Sequence, residues 1–165
     1  MIITLFGASH PTESEYQKAY KLGRKIGRKG YTLKNGAYGG TMEASAKGCR
    51  KEGGVVIGVG VEGHSIDKLG KPNSYNSKVV VKPNLNERII EMLNADLIIV
   101  LPGQIGTLEE MFMAWAEAIV GIKQPIIVVG DKMAHLINYL KENKFIREQQ
   151  LRFVKLAKDI DEINF

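Results

Sequence analysis

At 165 residues the chain is sized for one domain, long enough to bury about two-thirds of its unfolded surface. Its 44% hydrophobic and 25% charged residues are those of a soluble globular protein, and no apolar run nears the ~20 residues that cross a bilayer, which excludes membrane insertion. The net charge of +5 is carried by basic residues mixed with acids, with no block of like charge among aromatics. That pattern argues against a nucleic-acid partner and for a solvated basic surface or a small anionic ligand. A single cysteine, Cys49, excludes an internal disulfide, and the opening MIITLF reads as a core strand instead of a signal peptide. The expected compartment is the cytoplasm.

In chain order, Ile2 to Phe6 is an apolar strand leading into the small-residue turn Gly7-Ala8-Ser9-His10-Pro11-Thr12. Thr12 with Glu15 three residues on is a capping box, and apolar positions recur at helical spacing until Gly30. Tyr31 to Asn35 is a short second strand. It enters a glycine-rich turn, Asn35 to Gly48, that opens a helix carrying Met42, Ala46 and Cys49. Gly53-Gly54 stops that helix and Val55 to Val61 is a third strand. Gly63 to Ser77 has turn density but no helical pattern and reads as a surface loop. Lys78 to Lys82 is a fourth strand and Asn84 to Asn94 a helix. The run LIIVL from Leu97 is a strand buried on both faces, continuing through a Pro-Gly turn into a helix that starts near Thr107 and extends to Val120. Ile126 to Val129 is a sixth strand, with closing helices over Asp131 to Asn143 and Arg147 to Asp159. The alternation predicts an α/β fold: a Rossmann-like, doubly wound, mainly parallel sheet of about six strands with helices on both faces.

Ligands of such sheets bind beyond the carboxyl ends of the strands, where strand order reverses. Three of the turns there are rich in small residues: Gly7 to Thr12, Gly36 to Thr41 and Pro102 to Thr107. In the last, Gly103 and Gly106 let backbone approach a ligand, and the first amides of the following helix point at an anion. Gly58 to Gly63 matches the G-x-G-x-x-G pattern, but no helix follows it to receive a pyrophosphate. Thr107 to Glu110 forms a T-x-x-E capping box, in which Glu110 bonds the Thr107 amide. The same position puts Glu110 one turn from an anion site, where an acid serves a cationic transition state. Arg88 is a surface residue or an anion partner, and Glu43 a dipole complement or a contact to a ligand hydroxyl. His10, His64 and His135 have no metal-ligand spacing, and Cys49 reads as a buried structural thiol. No metal and no cofactor are expected. The helix from Leu108 carries Met111, Phe112, Met113 and Trp115 on more than one face. It is buried within the monomer or pairs two copies.

Pro102 to Glu110 resembles the PGGxGTxxE signature of the LOG family, phosphoribohydrolases of cytokinin-type riboside 5′-monophosphates often labelled lysine decarboxylase-like. Gly36 to Ala44 resembles that superfamily's second glycine motif, and Gly7-Ala8-Ser9 its first turn. Gln104 replaces the second glycine of PGG, and Ile89 replaces the lysine of an Arg-Lys pair. The resemblance implies a dimer that hydrolyses the N-glycosidic bond of a nucleotide such as AMP. Arg88 and Glu110 would be the catalytic pair. Gly7, Ser9, Gly39, Gly40, Thr41, Glu43, Pro102, Gly103, Gly106 and Thr107 would form the substrate and phosphate site. The departures keep open an alternative of another class, a nucleotide-binding sensor or carrier without chemistry.

Overall fold

The computed structural model describes residues 1–62, 70–121 and 124–165. Its single seven-stranded sheet is parallel throughout, in the order β4-β3-β2-β1-β5-β6-β7. The strands are β1 (Ile2–Phe6), β2 (Thr32–Asn35), β3 (Val55–Val61), β4 (Lys78–Lys82), β5 (Leu97–Val100), β6 (Ile126–Val129) and β7 (Val154–Ala157). Between them run α1 (Glu13–Arg28), α2 (Thr41–Lys51), α3 (Leu85–Leu93), α4 (Ile105–Val120) and α5 (Asp131–Glu142). The chain builds outward from β1 to β4, then returns to lay β5 against the other side of β1, so strand order reverses between β1 and β5.

The period-2 geometry of the central strands sorts their side chains into two cores. Leu5, Leu97 and Ile99 join α1 and α2 on one face, while Phe6, Ile98 and Val100 join α3, α4 and α5 on the other. Burial on both sides explains why LIIV is continuously apolar. On the first face α1 and α2 meet backbone to backbone. A Cβ built on Gly23 would lie 2.0 Å from the Ser45 carbonyl oxygen, and one on Gly48 2.1 Å from that of Tyr20. Helix α1 opens with the expected capping box: the Thr12 amide donates to Glu15 Oε2 at 2.8 Å, and the Glu15 amide to Thr12 Oγ1 at 3.3 Å.

One expected element differs. Arg147 to Asp159 is not a closing helix: Glu148–Phe153 is a 3-10 turn, and Val154–Ala157 pairs with β6 as a seventh strand. Four residues are too few to establish a period, and the exposed backbone edge of β6 decides the conformation by offering partners. Of the loop expected over Gly63 to Ser77, residues 63–69, including His64, lie outside the described residues. The remainder folds back on the turn after β2. The Ala37 carbonyl there accepts from the Asn73 amide (2.8 Å), Asn73 Nδ2 (2.8 Å) and Asn76 Nδ2 (3.0 Å).

Candidate functional site

Where β1 and β5 diverge, their carboxyl ends and the start of α4 enclose a cleft of about 210 Å³. Its floor is Leu5, Phe6 and Gly7, and one wall is Gln104, Ile105, Gly106 and Thr107. Arg88 and Glu110 face each other across the interior.

The wall follows from local sequence. Gln104 is extended (φ −106°, ψ −160°), and the Leu108 amide bonds the Gln104 carbonyl at 3.0 Å, so α4 begins at Ile105. No side chain among the described residues caps this helix, and its first amides are left to the cleft. Thr107 therefore sits in the first turn, and the capping box expected over Thr107 to Glu110 does not form. With the N-cap at Gln104, three residues before Thr107, Glu110 is clear of the terminus and turns toward Arg88. Gly103 is demanded by this packing, since a Cβ on it would lie 2.1 Å from Thr107 Oγ1. Gly106 has open space where a side chain would be, so its backbone is free for close approach.

Arg88 is nearly buried, so of the two places left open for it, surface residue or anion partner, the structure excludes the first. Its Nε donates to the Val59 carbonyl at 2.9 Å and its Nη2 to the Gly36 carbonyl at 3.2 Å. Nη1 lies 3.5 Å from Glu110 Oε1, and the guanidinium carbon 5.9 Å from the centre of the Tyr38 ring. Side-chain exposure of only 10% and 12% makes Arg88 and Glu110 a largely desolvated pair. Burial pushes the Glu110 carboxyl up to about 7; the Arg88 charge opposes this and the neighbouring Glu109 reinforces it. Glu110 is thus poised between its two protonation states near neutral pH.

The remaining expected site residues separate into groups. Gly7 and Ser9 line the cleft, Ser9 Oγ lying 3.0 Å from His10 Nδ1. Gly40 and Thr41 tie the first two glycine turns together. Thr41 Oγ1 donates to the Ala8 carbonyl at 3.0 Å, and Gly40 has φ +70° with its α-carbon against Ala8 and Ser9. Gly39 is exposed with open space where a side chain would lie, and Glu43 lies outside the cleft lining, its charge adding to the burial that raises the Tyr16 hydroxyl pKa. Pro102 lines a neighbouring crevice with Gly130. Sequence reasoning missed Gly36 and Met42, which complete the cleft beside Arg88. The glycine was legible as part of the second motif, but its contact with a side chain 52 residues away was not. Cys49 is buried, its thiol pushed up to about 11 by burial, consistent with an inert structural residue.

Residues 1–157 match the SLOG cluster4 family. The chain is 31% identical over 135 residues to a cytokinin riboside 5′-monophosphate phosphoribohydrolase of Mycobacterium tuberculosis, covering 81% of this chain and 72% of that protein. It is also 31% identical over 133 residues to an uncharacterized protein of Archaeoglobus fulgidus, covering 79% and 85%. The structure of the molybdenum cofactor binding protein from Rippkaea orientalis superposes with a TM-score of 0.78 over 97% of this chain and 90% of that one. At 21% identity this speaks to the fold alone. Together with the glycine turns and the motif from Pro102 to Glu110, the match over 1–157 places the chain in the SLOG cluster4 family, LOG-like in sequence and in fold.

Proposed function

We propose that the protein hydrolyses the N-glycosidic bond of a nucleoside 5′-monophosphate, releasing free base and ribose 5-phosphate. The observation that carries this reading is the desolvated Glu110–Arg88 pair opposite the uncapped start of α4, in a cleft of about 210 Å³. That volume is below the roughly 300–1,000 Å³ of whole-ligand pockets. It suits a sugar phosphate, with the base extending past the mouth over Ile105. The amides of Ile105 to Thr107 hold the 5′-phosphate, so that remote binding fixes C1′ beside Glu110. As the C1′–N bond breaks, its electron pair leaves with the base and positive charge gathers on the ribose. The Glu110 carboxylate stabilises that charge and accepts a proton from the attacking water, whose oxygen bonds to C1′, while the departing base takes up a proton from solvent at the cleft mouth. Arg88 favours the ionised form of Glu110 and offers the donors its carbonyl partners leave free. The relative named as a phosphoribohydrolase supports the same reading.

The protein is further read as a homodimer. The outward face of α4 exposes Ile105, Phe112, Met113, Ile119 and Val120, with Glu109 the charged residue among them.

Incubation with AMP, GMP and CMP, assayed for free base and for thermal stabilisation, tests the activity. Turnover of at least one nucleotide is expected. Glu110→Gln should lower it by about 100-fold or more while nucleotide still stabilises the fold. Stabilisation without base release from any of them would replace this reading with that of a non-catalytic carrier or sensor.

A further inference from the structure

We propose that Gly36 is a positioning residue for the Arg88–Glu110 pair: its missing side chain creates the space in which the Arg88 guanidinium lies. The role of the pair in turnover rests on the function proposed above, but the positioning itself does not.

The geometry is one-sided. A Cβ on Gly36 would lie 2.1 Å from Arg88 Nη2, 3.4 Å from its Cζ and 2.7 Å from Met42 Sδ. All three are side-chain atoms. Gly36 is not among the residues in the left-handed region, so alanine fits its backbone, and only the neighbouring groups resist it.

The turn itself has little freedom to retreat. The Ala37 amide donates to Asn35 Oδ1 at 2.9 Å, and the Ala37 carbonyl takes its three hydrogen bonds from Asn73 and Asn76. Next in the chain, the Tyr38 hydroxyl accepts from the Val61 amide at 3.1 Å. Ala37 is held at φ +73°, a conformation alanine adopts only when its surroundings impose it. An added methyl therefore displaces the guanidinium. The donor to the Gly36 carbonyl is lost, the guanidinium swings about the bond its Nε makes to Val59, and its distance to Glu110 grows. The charged groups acting on Glu110 are Arg88 from α3 and Glu109 from its own helix, so moving Arg88 removes the cationic partner and leaves the acidic one.

The test reads Glu110 directly, without substrate. Protein labelled with δ-¹³C glutamate is titrated by NMR, the Glu110 resonance being assigned from its loss in Glu110→Gln. In Gly36→Ala the midpoint is expected to rise by about one pH unit, in the direction set by loss of a cation. Arg88→Ala should raise it at least as far. Gly36→Ala in the Arg88→Ala background should change nothing more, because the side chain it acts through is gone. Met42→Ala should leave the midpoint in place.

A Gly36→Ala midpoint equal to the parent's, a further rise in the double variant, or an equal rise from Met42→Ala would each overturn the proposal. If Gly36→Ala fails to fold, removal of the guanidinium in the double variant must restore folding, and failure to do so overturns it as well. Turnover of AMP, GMP and CMP measured on the same samples keeps the two readings apart. A parent that releases no base ends the phosphoribohydrolase reading and leaves the titration result intact.

Discussion

Glu110 places two demands on its surroundings: a low dielectric that raises its pKa, and a cation that keeps some of it ionised. Because the neutral form is favoured in the folded state, the carboxyl's contribution to stability is complete below pH 4.5, its unperturbed value, and is lost as pH rises through about 7. Glu110→Gln removes this dependence. Denaturation across that window should show the parent losing stability relative to the Gln variant as pH rises, by about 3 kcal/mol at most, with the difference constant above pH 8. If the carboxylate form carries the chemistry, base release rises over the same range, with its acid limb centred near pH 7. The sequence showed Glu110 at an anion site but left it divided between capping and chemistry. What decides between them is a helix whose N-cap lies three residues before the threonine that suggested one, and an arginine delivered from another element. Neither is local information.

At the level of elements, the seam between α1 and α2 is the least forgiving part of the fold. Gly23 and Gly48 each face a carbonyl oxygen of the opposite helix, and backbone cannot step aside as a side chain can. Gly23→Ala is expected to lower the melting temperature by about 5 °C or more, through an overpacking cost of about 1–3 kcal/mol. Thermal denaturation followed by circular dichroism measures it, and a change under 2 °C would mean that the helices separate easily. In sequence these glycines read as weak helix residues, since their role is to admit another helix. Lys34 was equally opaque: a lysine in the middle of β2 looks like an exposed position. Its buried ammonium instead donates to the carbonyls of Glu91 (2.8 Å) and Asn94 (2.7 Å) and pairs with Glu91 Oε1 at 3.3 Å, closing the end of α3. Strands β1, β3, β4 and β6 were legible to the residue because glycines or turn residues punctuate continuous apolar runs. Strand β7 was not, because its conformation comes from a neighbour's free edge.

For the molecule as a whole, the reversal of strand order between β1 and β5 puts the cleft where glycine turns in the sequence said a ligand belongs. The reversal also leaves α4 facing outward on one flank, with apolar side chains that no other described element covers. If two copies pair through that face, Met113→Glu should shift the mass in light scattering from twice the chain mass to that of one chain, at micromolar concentration and without loss of helical signal. A parent already monomeric under those conditions would refute the pairing. Fold and cleft position could be read from the sequence because hydrophobic period and glycine placement encode them. The contacts between the cleft's side chains could not, since each joins residues dozens of positions apart.

The three hydrogen bonds on the Ala37 carbonyl also bear on chemical ageing. Asn73 and Asn76 are each followed by serine, a small residue that lets a backbone amide attack the side-chain carboxamide and release ammonia. Their present bonds hold both carboxamides in place and slow that reaction. Once it occurs at either residue, a side-chain amide donor becomes a carboxylate facing a carbonyl oxygen, and the turn that seats Gly36 keeps only part of its clamp. Old preparations should therefore lose the arrangement of Arg88 before they lose their fold, by the gain of a single mass unit on a loop outside the cleft.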